Sequence, residues 1–199
     1  MPGNRGRARV NSGILRVIGG KYRSRLLRVP ARPGLRPTPD RVRETLFNWL
    51  GQDLSGRACL DLYAGSGALG FEAASRGAAR VVMVENDRVA LAALERSRAA
   101  LQAAQVEIIG GDAAAYLARA RGRFDVVFLD PPFRQNALLA ILEMLPARLE
   151  SDARVYVESD TPVSLDPPWI ELRRAKAGQV SYQLLQWSGD DPSGISGNV

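Results

Sequence analysis

Short apolar runs that lack polar alternation recur along the chain from residue 57 onward. Such runs are typical of strands that are buried on both faces of a parallel sheet. The predicted strands span residues 58–62, 81–85, 106–109, 124–129 and 155–158. Helical stretches are predicted at residues 68–76, 87–103, 113–120 and 135–149. This alternation predicts a doubly wound α/β fold, in which helices cover both faces of a mostly parallel sheet.

The pattern changes near the end of the chain. Residues 170–174 and 180–187, joined through Gly178, are predicted to form an antiparallel pair that brings the sheet to seven strands. Residues 189–199 consist mostly of Gly, Ser, Asp, Pro and Asn, and we expect them to be disordered.

The first fifty residues have their own organisation. Residues 14–18 and 21–27 flank Gly19 and Gly20, which predicts a basic β-hairpin that presents Tyr22 among guanidinium groups. Residues 30–39 form a crossing segment that is interrupted by prolines.

A helix is predicted to follow the crossing segment. Thr38 supplies a cap, Pro39 a first-turn proline and Asp40 a first-turn acid, and Gly51 ends the helix. The apolar residues that share one face of this helix are Val42, Leu46, Trp49 and Leu50.

Charge is distributed unevenly between this front segment and the rest. Residues 1–50 contain twelve Lys and Arg and two Asp and Glu, a net charge of +10, which leaves −4 for the other residues out of a total of +6. A solubilising tail would account for a short basic run, but here the charges interleave with residues that form ordered structure. The pattern therefore favours a surface for a polyanion.

The residues that are absent exclude several kinds of chemistry. The chain has no His, which excludes His-based triads and His-containing zinc sites, and its single Cys allows no intrachain disulfide. We expect Cys59 to lie in the core rather than act as a nucleophile, and we predict no metal site. The sequence has neither a signal-like N-terminus nor an apolar run long enough to cross a membrane, so we expect a cytoplasmic protein.

A glycine loop follows the first strand of the α/β region. Gly65, Gly67 and Gly70 spell GxGxxG, and Glu85 stands twenty residues after Gly65, which together match a dinucleotide-binding fingerprint. Asp61 argues against a dinucleotide, because a carboxylate that points to the cofactor repels a pyrophosphate. It attracts the α-ammonium of S-adenosylmethionine instead.

The other cofactor contacts are predicted from topology, because ligands of open α/β sheets bind beyond the carboxyl ends of the strands. Glu85 is placed to accept the ribose hydroxyls, and Asp112 the adenine amino group. Singly, Asp87 and Asp112 also suit helix caps. The predicted cofactor-binding residues are Asp61, Tyr63, Ala64, Gly65, Ser66, Gly67, Glu85, Asn86, Asp112, Ala113 and Asp130.

The most specific motif is Asp130-Pro131-Pro132-Phe133, at the end of the fourth strand. In isolation it could be a rigid turn, since two prolines fix the backbone and remove two N–H donors. Here the motif follows the fourth strand of a sheet whose first strand leads into the glycine loop. In that position it suits the binding of an exocyclic amine, which donates to the Asp130 carboxylate and the Pro131 carbonyl. Phe133 would stack on a base that is flipped out or already unpaired. These four residues are the predicted catalytic group.

Several segments together resemble one family. These are residues 16–23, 34–49 and 60–70, the Asp130 motif, and Tyr156-Val157-Glu158-Ser159. They are similar to the bacterial small-subunit ribosomal RNA guanine-N2 methyltransferases called RsmD, over nearly the whole chain. The resemblance implies a Rossmann-like class I methyltransferase fold and S-adenosylmethionine-dependent methylation of one guanine N2 in 16S ribosomal RNA, within an assembled or assembling small subunit.

On this basis we expect four segments. They are a disordered basic tail at 1–13, an RNA-binding hairpin and crossing segment at 14–37, a methyltransferase domain at 38–188 and a disordered tail at 189–199. The predicted RNA-binding residues are Arg16, Lys21, Tyr22, Arg23, Arg25 and Arg36. Arg36, Thr38 and Arg41 could instead line the active site or organise the helix. We expect a monomer.

Two alternatives stay open at this point. One is a DNA adenine-N6 methyltransferase, because the N6 amine of adenine, like the N2 amine of guanine, is a poor nucleophile whose lone pair is delocalised into the ring. Against this alternative, no separate target-recognition domain fits in 199 residues. The other is a ribosome-assembly factor that binds RNA without catalysis.

Overall fold

The computed structural model describes residues 13–32, 37–131 and 135–189. Most of the two predicted disordered tails, together with Arg36, Pro132 and Phe133, lies outside these ranges. The strands are β1 (Gly13–Arg16), β2 (Leu26–Val29), β3 (Ala58–Asp61), β4 (Arg80–Glu85), β5 (Val106–Gly110), β6 (Phe124–Leu129), β7 (Leu149–Ser159), β8 (Trp169–Ala177) and β9 (Val180–Trp187). The helices are α1 (Asp40–Leu50), α2 (Ala68–Ser75), α3 (Arg88–Leu101), α4 (Ala113–Arg119) and α5 (Gln135–Met144), and a 3-10 turn covers Leu145–Arg148.

Seven strands form one sheet in the order β5-β4-β3-β6-β7-β9-β8. The pairs from β5 to β7 are parallel, whereas β9 pairs antiparallel with both β7 and β8. Consecutive strand residues face opposite sides, as Cys59 and Leu60 do in β3. The predicted α/β fold with a terminal antiparallel pair is confirmed.

Each face of the sheet carries its own apolar core. One core holds residues from α1, α2 and α3 together with the β1–β2 hairpin, which contributes Leu15, Tyr22 and Leu27. The other core lies under α4 and α5, with Leu117 and Leu142 as examples. The hairpin is therefore packed into the first core and does not project as a free arm.

The hairpin differs from its prediction in one respect. The second strand is Leu26–Val29, and residues 21–25, predicted as strand, belong to a longer turn. Tertiary bonds decide this conformation, because the backbone N–H groups of Lys21 and Tyr22 donate to Ser75 at the end of α2. Local strand propensity gave no indication of these contacts.

The start of α1 also differs by one residue. Pro39, not Thr38, occupies the N-cap position, and no side chain caps this helix end. Thr38 is buried, and its carbonyl accepts from Nε of Arg43. Gly51 ends the helix with a positive φ of 88°, as predicted.

Candidate active site

Four carboxyl side chains lie along one edge of the sheet, on the face covered by α1, α2 and α3. Asp61 pairs with Met83 of β4 and with Phe128 of β6, so Glu85 and Asp130, two residues further on, share its face. Phe128 in turn pairs with Tyr156, which places Glu158 beside Asp130 on the neighbouring strand β7. We call Asp61, Glu85, Asp130 and Glu158 the acidic edge.

Asp61 is the most enclosed member of the acidic edge. Its side chain is 3% exposed, and one oxygen accepts the N–H of Gly70, in the first turn of α2, at 3.1 Å. Burial raises the pKa of Asp61 to about 7, and the charges of Asp130 and Glu85 add to the rise while N–H donors oppose it. Asp61 therefore organises the start of α2 as well as bearing charge at the edge.

Glu85 holds the glycine loop in place. One oxygen accepts the N–H of Gly65 at 2.8 Å, and the other accepts from Asn86 and Asp87 at 2.9 and 2.7 Å. This contact links the end of β4 to the loop that follows β3. The predicted proximity of Glu85 to the glycine loop is thus present, while its contact with a ribose stays a prediction.

The glycine loop needs glycine for conformation and for packing. Gly67 is the N-cap of α2, with a φ of 79°, a conformation that L side chains rarely adopt. A Cβ there would also lie 2.5 Å from the Phe71 ring and 2.7 Å from Leu94. Within this loop Ala64 is buried, whereas Tyr63, Gly65 and Ser66 are half-buried.

Asp112, which is predicted to contact the cofactor and also suits a helix cap, is a cap in the structure, and so is Asp87. Asp112 accepts the N–H of Ala115 at the start of α4, and Asp87 accepts from Val89 and Ala90 at the start of α3. A cap uses part of a carboxylate and leaves other lone pairs, so the predicted adenine contact of Asp112 stays a prediction.

Asp130 is the member of the acidic edge that the motif predicted as catalytic. It directly follows β6, and burial holds the pKa of its carboxyl above the usual range. Pro131 is buried beside it. The roles predicted for Pro132 and Phe133 fall on residues outside the described ranges.

Glu158 is the residue at this edge that the site prediction omitted. The Tyr156 hydroxyl donates to its Oε1 at 2.8 Å. Burial and the negative charge of Asp130 raise the pKa of Glu158, and burial raises the pKa of Tyr156 as well. A signal was available, because Glu158 is a further acid at a strand end within a segment that carried the family resemblance.

Of the predicted RNA-binding residues, Lys21, Arg23 and Arg25 lie together in one turn, and Arg16 lies at the end of β1. The turn of residues 17–25, which includes Lys21, Arg23 and Arg25, contacts the C-terminal ends of α2 and α3, through Ser75 and the Ala100 carbonyl. That is the end of α2 away from the glycine loop, about 12 Å along the helix. A cleft of about 360 Å³ opens there, between the turn and α1.

The crossing segment comes nearer to the acidic edge. Arg32 forms an ion pair with Asp87, the residue that caps α3 next to Glu85. Arg16 pairs with Asp40 at 3.1 Å. Arg23 and Lys21 are exposed, and no carboxylate of the described residues pairs with either.

The predicted presentation of Tyr22 is wrong. Its side chain is 4% exposed and packs in the core, with its hydroxyl next to the Gln105 amide. The longer turn explains the difference, because residues 21–25 do not form the strand that would have pointed this ring outward.

Cys59 lies in the core, as predicted. It is fully buried in β3, and burial raises the pKa of its thiol to about 12, so it is not a nucleophile at neutral pH. Within the described ranges, no group of three His, Cys, Asp or Glu residues converges closely enough to hold a metal ion. In the same ranges no helix has both the length and the apolar character needed to cross a membrane.

The chemistry of the acidic edge fits a cationic ligand. Three buried or half-buried carboxyls beside the glycine loop repel one another, which contributes to the raised pKa of Asp61. A ligand with a sulfonium and an ammonium group relieves this repulsion, whereas a pyrophosphate increases it. The residues present therefore fit S-adenosylmethionine.

Comparisons with known proteins agree with this geometry. The family model described as Conserved hypothetical protein 95 matches residues 15–186. Ribosomal RNA small subunit methyltransferase D of Escherichia coli is 44% identical over 180 residues, which cover 88% of this chain and 91% of that protein. The protein of the same name from Haemophilus influenzae is 41% identical over 182 residues, covering 87% and 94%.

Solved structures lead to the same family. An Escherichia coli structure described as methyltransferase yhhF matches with a TM-score of 0.82 at 40% identity, covering 88% of this chain and 99% of that chain. The Rossmann-like fold implied by the resemblance is thereby confirmed. The chain belongs to the family described as Conserved hypothetical protein 95, which is the RsmD family of S-adenosylmethionine-dependent methyltransferases.

Proposed function

We propose that this chain transfers the methyl group of S-adenosylmethionine to the exocyclic N2 amine of one guanine in 16S ribosomal RNA. We further propose that the substrate is the small subunit or a late assembly intermediate, and that the protein acts as a cytoplasmic monomer. The observation that carries the proposal is the position of Asp130 and Pro131 on the same sheet edge as Asp61, Glu85 and the glycine loop.

Different residues of the chain contribute different contacts to cofactor binding. Asp61 and Glu85 fix the loop by accepting N–H groups of Gly70 and Gly65, and their charge favours a cation at this edge. Burial raises the pKa of the Tyr63 hydroxyl, and the negative charge of the nearby Asp112 adds to this rise. This proximity supports the proposal that Tyr63 and Asp112 both contact the adenine of the cofactor.

At the target base, Asp130 and Pro131 act on the amine. The lone pair of an aryl amine is delocalised into the ring, so the nitrogen is a poor nucleophile. Two N–H donations, to the Asp130 carboxylate and the Pro131 carbonyl, favour tetrahedral nitrogen and free the lone pair. When bound, S-adenosylmethionine supplies an electrophilic methyl carbon, whose bond to sulfur breaks as the bond to N2 forms. The methylated amine then loses a proton, which the Asp130 carboxylate can accept.

The two alternatives lose support from the comparisons. Curated relatives that match nearly the full length are named as ribosomal RNA small subunit methyltransferases, which disfavours DNA as the substrate. A binding factor without catalysis has no use for an acidic edge beside a glycine loop. The guanine N2 specificity rests on the family resemblance and on the Asp130 motif.

The proposal is tested by methyl transfer to defined substrates. Small subunits from a strain that lacks the modification are incubated with the purified protein and methyl-labelled S-adenosylmethionine, and duplex DNA serves in parallel. We expect label in 16S ribosomal RNA only, and N2-methylguanosine after digestion to nucleosides. Label in DNA alone, or in another nucleoside, would contradict the proposal.

The exposed cations of the hairpin turn yield a second prediction. Neutralising Arg23 and Arg25 to Gln should weaken RNA binding and flatten its dependence on salt concentration. The slope of log K against log salt falls by about one per lost phosphate contact. Binding to small subunits is measured between low and moderate salt.

The matched control for this prediction is Arg121→Gln. Arg121 is an exposed residue that follows α4, on the other face of the sheet, so its loss should leave the slope unchanged. If the double variant loses affinity for S-adenosylmethionine while its salt slope stays the same, the turn has a structural role only.

A further inference from the structure

We propose that Glu158 selects guanine as the target base, by accepting its N1–H on a carboxylate that Tyr156 holds beside Asp130. This inference rests on the proposed function, since it requires a guanine whose N2 amine lies at Asp130. It adds a specificity-determining residue to the site.

The sheet register places Glu158 where a neighbouring donor of the base would lie. Asp130 follows Leu129, which pairs with Val157, so the next residue of β7 is Glu158, on the face of the acidic edge. Adjacent strands are about 4.8 Å apart, a spacing that brings two side chains within reach of one planar ring. On β9, the residue opposite Glu158 is Tyr182.

The surroundings of Glu158 fix its carboxyl group. The Tyr156 hydroxyl donates to Oε1, and Tyr156 is itself fully buried against the Tyr182 ring at a centroid distance of 6.3 Å. Tyr182 stacks on Trp49 of α1 at 5.3 Å. Because Tyr156 is packed among these aromatic rings, the Glu158 carboxyl that it holds keeps one orientation, and the second oxygen of this carboxyl stays available to a ligand.

The chemistry of guanine matches two adjacent acceptors. Its Watson–Crick edge carries the N1–H and the N2 amine side by side, and enzymes that extrude a base read this edge by hydrogen bonds. If one N2–H faces Asp130, the N1–H on the same edge faces the next strand, where Glu158 lies. Asp130 thus engages the reacting amine, and Glu158 engages the ring nitrogen beside it.

The same contact rejects other amino-bearing bases. The selection requires the ionised form of Glu158, which a guanine N1–H donor favours against the burial and the Asp130 charge that raise the pKa of this carboxyl. Adenine carries a lone pair at N1 instead of a hydrogen, so its ring nitrogen would face an ionised carboxylate that has nothing to accept. A buried polar group left without its partner costs binding free energy, and such mismatches give large discrimination. Glu158 therefore separates guanine from adenine, which the amine site at Asp130 alone does not do.

The test uses 2-aminopurine, which keeps the exocyclic N2 amine of guanine but has a lone pair at N1. Small subunits are reconstituted with either base at the position that the wild-type protein methylates, and kcat/KM is measured for both. We expect the wild type to prefer guanine by about 100-fold or more. Glu158→Gln, whose amide can donate to N1, should reduce this ratio at least about tenfold, mainly through a loss on guanine.

Three further measurements make the result decisive. Calorimetry should show that Glu158→Gln still binds S-adenosylmethionine with at most a small loss of affinity, because the loop contacts of Asp61 and Glu85 are unchanged, and such binding shows that the fold is intact. Tyr156→Phe, which removes only the hydroxyl that holds Glu158, should lower the ratio in the same direction and decides the matter if Glu158→Gln does not fold. Glu150→Gln, an exposed change at the other end of β7, should leave the ratio unchanged.

The outcomes separate the inference from the proposed function. If the wild type forms N2-methylguanosine and neither Glu158→Gln nor Tyr156→Phe changes the ratio, the inference is overturned and the proposed function stands. If the wild type forms no N2-methylguanosine, the proposed function itself is wrong, and the inference falls with it.

Discussion

Asp130→Ala should lower kcat for methyl transfer by about 10²–10⁴-fold, which is the range for loss of a group that handles protons in the transition state. The variant removes the carboxylate that orients the amine and accepts its proton, but it leaves the glycine loop bonded to Glu85 and Asp61. S-adenosylmethionine affinity should therefore change far less than kcat. Single-turnover transfer to unmethylated small subunits, with calorimetry of cofactor binding, measures the two effects separately.

Asp125→Ala is the matched control, because Asp125 lies on the same strand at the opposite end. Asp125 accepts from Arg57 and from the N–H of Ala58, away from the acidic edge. Its loss should cost stability and leave the transfer rate per folded molecule near the wild-type value. Retained transfer in Asp130→Ala would remove Asp130 from the mechanism.

The apolar pattern predicted the central strands well, because a short continuous apolar run is typical of a strand that is buried on both faces of a sheet. Residues 124–129 were predicted as a strand and form β6 with the same bounds, and β3, β4 and β5 differ by one residue at an end. The prediction was wrong before β7: residues 145–149, predicted as helix, form a 3-10 turn and the first residue of a strand that runs to residue 159 instead of spanning only 155–158. Long-range hydrogen bonds were beyond the pattern. The turn of residues 17–25 is held against α2 by hydrogen bonds from its backbone to Glu72 and Ser75, and no local feature of its sequence indicates those partners.

The site was predictable to the extent that it depends on strand ends. Asp61, Glu85 and Asp130 each directly end or follow a strand, so topology alone brought them to one edge. Glu158 also ends a predicted strand, but its place in the site depends on β7 lying next to β6. The local sequence does not indicate the order of strands in the sheet. Tyr22 was misplaced for the same reason, since tertiary packing decided its burial.

A buried carboxylate joins the hairpin to the helix that follows the glycine loop. Glu72 of α2 is fully buried and accepts the backbone N–H groups of Ile18 and Gly19, both at 2.8 Å. It also pairs with the guanidinium groups of Arg43 at 3.3 Å and Arg76 at 2.8 Å. Both arginines are themselves buried, and Arg43 also pairs with Asp40, so the one charge of Glu72 is shared between two guanidinium groups that have little contact with water.

Glu72→Ala should therefore lower the free energy of unfolding by about 3–5 kcal/mol, the usual cost of leaving a buried charge without its partner. The two N–H groups of the turn lose their acceptor at the same time, which should detach the backbone of residues 17–25. Trypsin should then cleave after Lys21, Arg23 or Arg25, whose side chains are already exposed in the native turn. Urea denaturation gives the free energy, and limited proteolysis with mass spectrometry locates the first cleavage.

Glu95→Ala is the control for Glu72→Ala. Glu95 forms an ion pair with Arg98 on the surface of α3, where both side chains are more than 40% exposed, and such pairs contribute at most about 1 kcal/mol. We expect a small loss and no new cleavage in the turn. Equal losses in the two variants would mean that the buried cluster contributes no more than a surface pair. In that case apolar packing of Leu15, Val17 and Leu27, and not the Glu72 cluster, holds the hairpin on the domain.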